Sequence, residues 1–336
     1  MDELDGNATA SKPKCTIAIP VYNRERLIRH AVESALRQST PGLEILVVDN
    51  CSTDTTWDVL QTYRDDRLRI VRNVTNVGLF GNFNRCLNLA RGEYLRFLCS
   101  DDRLLPDGLT SEIRMMDRHP EAVLLSTHAK RIDADLQANG TFANHLPPGI
   151  YRGDDLIAHV LWVLSHYLAN PLNYPSGILL RRDAALRAGE FDSSLRLVGD
   201  LDYFMRILTQ GDGILINEIG CEIMMHDGQA GEGIMADGGY LEEWFMLADR
   251  WASQLQRQGI QRRVWEQLGA DSIWAWTHFM RRGRQHTARI YWRTAMTKGL
   301  SPAALIRASI RLVWLQFLLR TRNSRRQPRL TVLPLD

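Results

Sequence analysis

Short apolar runs alternate with helix-spaced segments over the first 130 or so residues. The runs Thr16–Pro20 and Glu44–Val48 are rich in β-branched residues, which is typical of buried strands. Between them, apolar residues recur every three or four positions, as in a helix with one buried face. Further along, the same pattern predicts strands at Leu68–Val71, Tyr94–Leu98 and Ala122–Ser126, and helices at Asp54–Tyr63, Phe80–Ala90 and Pro106–His119.

This alternation predicts an α/β fold. Strands separated by helices form βαβ units, whose right-handed crossovers give a mostly parallel, Rossmann-like sheet with helices on both faces. Ligands on such a sheet bind beyond the carboxyl ends of the strands. The residues that directly follow each strand are therefore the first candidates for a functional site.

The pattern becomes mixed after about residue 130 and purely helical after about residue 240. It predicts a helix at Ile157–Leu168, a strand at Gly177–Leu180, a helix at Asp200–Leu208 and a pair of strands within Gly213–Met225. We expect a disordered leader over residues 1–14, one α/β domain over 15–235, and a C-terminal helical extension over 236–330.

Composition excludes several classes of protein. Hydrophobic residues make up 45% and charged residues 24% of the 336, as in an average soluble domain rather than a disordered or fibrous chain. The net charge of +2 gives no reason to expect nucleic acid as a partner. Five widely spaced cysteines without a C-x-x-C motif argue against a disulfide framework and favour a cytoplasmic location.

The charge is unevenly distributed, because residues 301–336 contain seven arginines and one aspartate. Ser301 and Pro302 are a favourable helix start, and the segment that follows combines many apolar residues with a basic end. Such a helix is too short and too charged to span a bilayer. We expect it either to lie on an anionic membrane surface, on the inner face of the cell membrane, or to dock on the body of the protein.

The first candidate site is Ser100-Asp101-Asp102, at the end of an apolar strand. Two adjacent carboxylates repel each other and cannot be buried unpaired. A divalent cation such as Mg²⁺ or Mn²⁺, which prefers oxygen ligands and phosphate, relieves that repulsion. The alternative is a solvated turn or helix cap ahead of Pro106.

Two more candidates follow the first and second strands. Asp49 comes after EILVV, where its carboxylate could accept the imide N–H of a uracil or thymine ring. Tyr22 follows TIAIP, where its ring could stack on a base. In both cases the alternative is an ordinary turn. The absence of G-x-G-x-x-G and of G-x-x-x-x-G-K-[ST] counts against a Rossmann dehydrogenase and a P-loop nucleotidase.

The last two candidates lie in the second half of the chain. Asp200 opens a predicted helix, where it could be a cap or a general base that deprotonates an attacking hydroxyl. His226 follows the apolar run EIMM, where it could be structural or a third metal ligand.

Together these segments resemble the family 2 inverting glycosyltransferases with a GT-A fold. The matching text is IAIPVYNRERLIRHAVESALRQ, LEILVVDNCSTDTT, NVGLFGNFNRCLNLARGEYLRFLCSDD and LVGDLDYFMRI. The likeness covers about residues 15–230. It is specific because of the order and spacing of four segments, each of which is weak alone.

The resemblance implies a role for each candidate. The nucleotide is expected to contact Pro20, Tyr22, Asn23, Asp49 and Ser52, with Asp49 on the pyrimidine edge. The floor of the nucleotide and sugar pocket is expected to be Asn76, Gly78 and Asn84. Ser100, Asp101 and Asp102 match the family's D-x-D region, with Asp101 toward ribose or sugar. Asp102 and His226 would hold the metal or contact the diphosphate, and Asp200 would be the catalytic base.

Two departures from the family pattern matter. Many members have a third acidic residue where Cys99 stands, and many have Glu-Asp where this chain has Gly199-Asp200. The second departure leaves Asp202 as an alternative base. The sequence thus predicts a metal-dependent inverting transferase that moves a sugar from a UDP- or dTDP-sugar to a hydroxyl acceptor, such as a glycan or a lipid-linked sugar. The alternative is a non-catalytic relative that binds a nucleotide or a partner.

Overall fold

The computed structural model describes residues 12–106, 108–143, 146–164, 170–226, 239–297 and 332–333. The strands are β1 (Cys15–Val21), β2 (Leu43–Asp49), β3 (Leu68–Arg72), β4 (Tyr94–Phe97), β5 (Arg103–Leu104), β6 (Ala122–Ile132), β7 (Ala138–Phe142), β8 (Gly149–Tyr151), β9 (Ile178–Arg181), β10 (Asp212–Met224) and β11 (Val332–Leu333). The α-helices are α1 (Ile28–Leu36), α2 (Thr56–Leu60), α3 (Leu79–Leu89), α4 (Gly108–Arg118), α5 (Gly153–Leu164), α6 (Arg182–Arg187), α7 (Gly199–Leu208), α8 (Gly239–Arg250), α9 (Ala252–Arg257), α10 (Gln261–Arg281) and α11 (Gln285–Thr297).

All eleven strands belong to one sheet in the order β11-β8-β10-β6-β9-β4-β1-β2-β3, with β5 paired to β10 and β7 to β6. The predicted α/β fold is confirmed. The strands β1 to β4 pair in parallel, as expected from their βαβ connections. Beyond β4 the pairs are antiparallel, except β6 with β10, because several of these strands are joined without a crossover helix. The sheet is therefore mixed.

Two sequence predictions in the second half are wrong. The chain after residue 240 is not purely helical, because Val332–Leu333 (β11) pairs with β8. The predicted strand pair within 213–225 is a single long strand, β10, which ends at Met224. Its register against β6 shifts between Leu215 and Ile219, where Asn217 and Glu218 are exposed. The polar pair Asn217-Glu218 is therefore a bulge within one strand and not the turn of a hairpin.

Two apolar layers enclose the sheet. Successive side chains of β1 enter opposite layers, so Ile17 and Ile19 pack with α1 and α4, while Ala18 packs with α3 and α7. Both faces of the strand are buried, which explains why the sequence of β1 is continuously apolar rather than alternating.

The C-terminal helices α8 to α11 extend one of these layers. Phe245 of α8 and Tyr291 of α11 belong to the same buried cluster as Phe191 and Phe204 of the α/β part. The predicted basic helix after Ser301 lies outside the described residues. No described helix is long and apolar enough to cross a bilayer.

Candidate functional site

The carboxyl ends of β1, β2 and β4 bring the first three candidate segments to one edge of the sheet. Val21 lies opposite Asp49 in the parallel register, and Leu98 continues β4 by donating its backbone N–H to the carbonyl of Ala18 at 2.9 Å. The loops that follow these three strands are neighbours, as the topology predicts.

Side-chain hydrogen bonds connect the loops after β1 and β2. Asn23 has a left-handed backbone (φ 51°), which Asn tolerates better than most residues and which turns the chain toward α1. Its Oδ1 accepts the backbone N–H of Thr53 at 2.8 Å, and its own N–H donates to Ser52 Oγ at 3.0 Å. Residues 23, 52 and 53 therefore form one rigid corner.

Asp49 is fully buried behind this corner. Its carboxylate accepts a short hydrogen bond from the Ser52 hydroxyl and lies 3.1 Å from Nε of Arg72, at the end of β3. Arg72 also donates to the carbonyl of Ser52 at 2.7 Å and covers the ring of Trp57 at 5.0 Å. Arg72, which sequence reasoning missed, places a hydrogen-bond donor beside the predicted acceptor. We call Tyr22, Asp49, Ser52 and Arg72 the base pocket; Tyr22 is its most exposed member, at 40%.

Asn50 fixes the loop after β3. Its amide nitrogen donates to Asn76 Oδ1 at 2.8 Å and to the carbonyl of Gly78 at 3.1 Å, and its amide oxygen accepts from Asn73 at 3.0 Å. Gly78 has a positive φ of 79°, which suits glycine at the start of α3. Asn76 and Gly78 are exposed, and their role at the floor of the pocket stays a prediction. Asn50, which positions them, was not singled out from the sequence.

Pro20 and Asn84, two further predicted contact residues, are also buried. Pro20 lies within β1, and Asn84 on α3 is 6% exposed. Both amide atoms of Asn84 bind the backbone of Phe191, at 2.9 and 2.7 Å. We therefore expect Asn84 to shape the pocket indirectly, by holding the chain that leads to α7.

The tandem aspartates after β4 face different partners. Asp101 Oδ2 lies 3.1 Å from Nε2 of His226 and 3.8 Å from Nε of Arg24. Asp102, 3% exposed, accepts the hydroxyl of Ser176 at 2.6 Å and the backbone N–H of Met224 at 3.0 Å. Burial, followed by the charge of Asp101, raises the pKa of Asp102 well above its usual value.

Cys99, Asp101 and Asp102 form a candidate metal centre. Their ligand atoms all lie within 4.8 Å of one another. His226 lies outside this cluster but contacts it, since its Nε2 is 3.1 Å from Asp101 Oδ2. The two carboxylates at this separation fit a divalent cation, whose charge would offset the repulsion between the acids.

Asp200 and Asp202 share α7 but have opposite surroundings. Asp202 is fully buried and binds Arg206 at 3.0 Å, Arg250 at 2.7 Å and the indole N–H of Trp251 at 3.2 Å. Asp200 accepts the backbone N–H of Leu201 at 2.7 Å and pairs with no cation among the described residues. Burial above all raises the pKa of Asp200 to about 7. This contrast favours Asp200 over Asp202 as a base.

The turn before β9 links the two acidic regions. Tyr174, 39% exposed, lies close enough to Asp102 and Asp200 for both charges to raise its pKa, in addition to the effect of burial. Ser176 supports Asp102 and receives a 2.8 Å hydrogen bond on its carbonyl from Arg96, which is buried and paired with Glu112. No motif pointed to this turn, because its residues are common ones. We call Asp101, Asp102, Tyr174 and Asp200 the transfer edge.

Packing explains why a glycine stands at position 199. A Cβ at this position would lie 2.4 Å from Cε2 of Phe80. The aromatic ring of α3 therefore occupies the space that a side chain before Asp200 would need. The departure from Glu-Asp reflects this contact and leaves the carboxylate of Asp200 in place.

Comparison with known proteins gives a consistent result. Residues 16–168 match the model of glycosyl transferase family 2. The chain is 35% identical over 138 residues to UDP-Glc:alpha-D-GlcNAc-diphosphoundecaprenol beta-1,3-glucosyltransferase WfaP of Escherichia coli, covering 41% of this chain and 53% of that protein. The match thus spans about half the length of this curated relative.

Solved structures share the fold. S. aureus TarS 1–349 in complex with UDP-GlcNAc superposes with a TM-score of 0.58 at 17% identity, covering 85% of this chain and 91% of that one. The mannosyltransferase PcManGT from Pyrobaculum calidifontis, in complex with GDP-Man and Mn²⁺, gives a TM-score of 0.53 at 18% identity, covering 93% and 83%. At such identities the likeness shows the fold alone.

Proposed function

Because the chain belongs to glycosyltransferase family 2 and has its GT-A fold, we propose that it transfers a sugar from a UDP- or dTDP-sugar to a hydroxyl acceptor, with inversion at the anomeric carbon. The observation that carries the proposal is the transfer edge. It combines the two acids at the end of β4 with Asp200, which pairs with no cation in the described part of the chain and shares Tyr174 as a neighbour with Asp102.

The base pocket supports a pyrimidine nucleotide. Uracil and thymine present an imide N–H flanked by two carbonyl oxygens, so they need an acceptor and a donor side by side. Asp49 and Arg72 supply that pair, at present bound to each other at 3.1 Å. When a pyrimidine ring stacks on Tyr22, Asp49 and Arg72 would release each other and form hydrogen bonds with the edge of that ring.

The chemistry follows from the positions of the acids. The acceptor oxygen forms a bond to the anomeric carbon, the bond from that carbon to the β-phosphate oxygen breaks, and Asp200 takes the proton of the acceptor hydroxyl. The pKa of about 7 suits a base that must accept a proton near neutrality. Asp101, Asp102 and His226 would hold Mg²⁺ or Mn²⁺, which supplies stabilisation of negative charge on the departing diphosphate.

A test is nucleotide release from a panel of UDP- and dTDP-sugars with Mn²⁺, Mg²⁺ or EDTA. We expect release with one sugar class, dependent on the cation in the wild type and lost in Asp102→Ala. Equal release by the two proteins would contradict the role of Asp102. No release above buffer on the whole panel would favour the non-catalytic alternative.

For the acceptor, the activity of the Escherichia coli relative supports a lipid-linked or glycan hydroxyl in bacterial surface-polysaccharide synthesis. The basic segment after Ser301 would hold the protein on an anionic membrane near such an acceptor. Flotation with anionic vesicles tests this. The wild type is compared with a variant in which four arginines of the segment are replaced by glutamine, namely Arg320, Arg322, Arg325 and Arg326. The matched control exchanges four exposed arginines of the body, Arg37, Arg85, Arg114 and Arg118, in the same way. Equal flotation of the three proteins would contradict membrane binding through the tail.

A further inference from the structure

A carboxylate from the C-terminal helical region lies behind the segment that carries Asp200. Glu243 of α8 is 3% exposed, and its Oε2 accepts the backbone N–H groups of Arg196 at 2.8 Å, Leu197 at 2.5 Å and Val198 at 3.2 Å. These three amides directly precede α7. Its other oxygen lies 3.6 Å from Nε of Arg196.

This contact lies directly before a helix that lacks a side-chain cap. Val198 stands at the N-cap position of α7 and makes no side-chain cap bond. Ordinary helices satisfy the free amides at this end with a Ser, Thr, Asp or Asn of their own. Here Asp200 satisfies the amide of Leu201, and the amides before the helix depend on a side chain 45 residues further along the chain.

We infer that Glu243 is a positioning residue for the transfer reaction, which fixes the segment 196–198 and thereby the direction of the Asp200 carboxylate. The inference rests on the proposed role of Asp200 as the base. It connects α8, in the C-terminal helical region, to the chemistry of the α/β part. Reaction rates depend steeply on such positioning, because even a small displacement of a reacting group slows the reaction strongly.

The charge of Glu243 has a second consequence. Among the described residues, the ionisable groups that interact with Asp200 are Glu243 from α8, Cys99 from the end of β4 and Tyr174 from the turn before β9. Asp202, on the same helix, is directed to Arg206 and Arg250 instead. The charge of Glu243 adds to burial in raising the pKa of Asp200. Removing that charge should make Asp200 a weaker base.

Three variants separate these effects. Glu243→Gln keeps the shape and an acceptor oxygen but removes the charge, and Glu243→Ala removes the contact. Glu242→Gln is the matched control, because Glu242 is the exposed neighbour on α8. The readouts are hydrogen–deuterium exchange at residues 196–198, carbon-13 titration of the Asp200 carboxyl, assigned by its absence in Asp200→Asn, and UDP release from the best UDP-sugar of the panel.

We expect faster exchange at 196–198 in Glu243→Ala. In Glu243→Gln we expect the titration midpoint of Asp200 to fall, because a like charge near the carboxyl is removed. In both variants kcat should fall about tenfold with the donor KM unchanged, while Glu242→Gln matches the wild type in every readout.

Wild-type exchange, titration and kcat in both Glu243 variants would overturn the inference. If Glu243→Ala does not fold, the isosteric Glu243→Gln still decides, through the titration and kcat. A wild-type rate in Asp200→Asn would instead defeat the proposed base, and the exchange data would then show separately whether Glu243 holds the segment.

Discussion

The base pocket and the transfer edge lie on the same side of one sheet, but they hold their carboxylates in opposite ways. Asp49 is balanced by Arg72 at 3.1 Å, whereas Asp200 has a backbone amide and no cationic partner among the described residues. A paired acid suits recognition, since a ligand can exchange hydrogen bonds with it. A half-buried acid without a cationic partner suits proton transfer, because its pKa lies near neutrality.

The strongest test of this comparison is Asp200→Asn beside Asp202→Asn. Asp200→Asn should lower transfer about 10²- to 10⁴-fold, the usual contribution of a general base, with UDP affinity unchanged. Rates of UDP release and calorimetric titration with UDP measure the two properties.

Asp202→Asn is the matched change on the same helix. It should weaken the pairs with Arg206 and Arg250 and lower the free energy of unfolding by about 3 kcal/mol, as expected for a broken buried ion pair. Transfer by the folded fraction should remain. If Asp200→Asn transfers sugar at the wild-type rate, Asp200 is not the base that accepts the proton of the acceptor hydroxyl.

The pH dependence gives the next largest effect. Because burial raises the pKa of Asp200 to about 7, the carboxyl is increasingly protonated below that pH and cannot accept a proton. The rate of transfer should therefore rise about tenfold per pH unit below pH 7 and level off above it. UDP affinity measured over the same range separates this from donor binding, and a rate that is flat from pH 5 to 8 would contradict it.

Arg72→Met tests the base pocket. We expect UDP affinity to fall about tenfold, because one charge-assisted hydrogen bond to the ring is lost, while the weaker affinity for GDP changes less. The matched control is Arg69→Met, on the same strand, where the guanidinium binds Glu44 at 2.8 Å away from the pocket. Equal losses of UDP affinity in the two variants would show that Arg72 does not contact the base.

Much of the fold was predictable from local pattern. The strands β1 to β4 and the helices between them follow from apolar spacing, because parallel strands and their crossovers repeat one local rule. The antiparallel half was less predictable. The short strands β5, β7 and β8 carry little apolar pattern, and their pairing depends on long-range contacts rather than on sequence neighbours.

The sequence predicted the residues that would take part in the reaction, but it did not predict the residues that hold them in place. Adjacent acids at a strand end stand out in any sequence. Asn50, Ser176 and Glu243 do not, because an ordinary amide, hydroxyl or surface-type acid gains its role only from distant backbone partners. The preference for Asp200 over Asp202 came from the resemblance alone. The physical difference lies in Arg206, one turn further along α7, and Arg250 of α8, both of which pair with Asp202.

The last expected effect concerns the stability of the folded protein. It tests the contrast between Asp49 and Asp200 without a rate measurement. The pKa of Asp200 is raised from the ordinary value of 3.8 to about 7, so the folded state binds a proton more tightly than the unfolded chain. The bound proton therefore stabilises the folded state, fully below pH 4 and progressively less as the pH rises toward 7. Asparagine at this position keeps the bond to Leu201 without that loss. Asp200→Asn should therefore raise the free energy of unfolding above that of the wild type by more at pH 8 than at pH 5, with a difference of about 2 to 3 kcal/mol. Denaturant unfolding at both pH values measures it, and an equal gain at the two would mean that Asp200 is not held at a cost in stability.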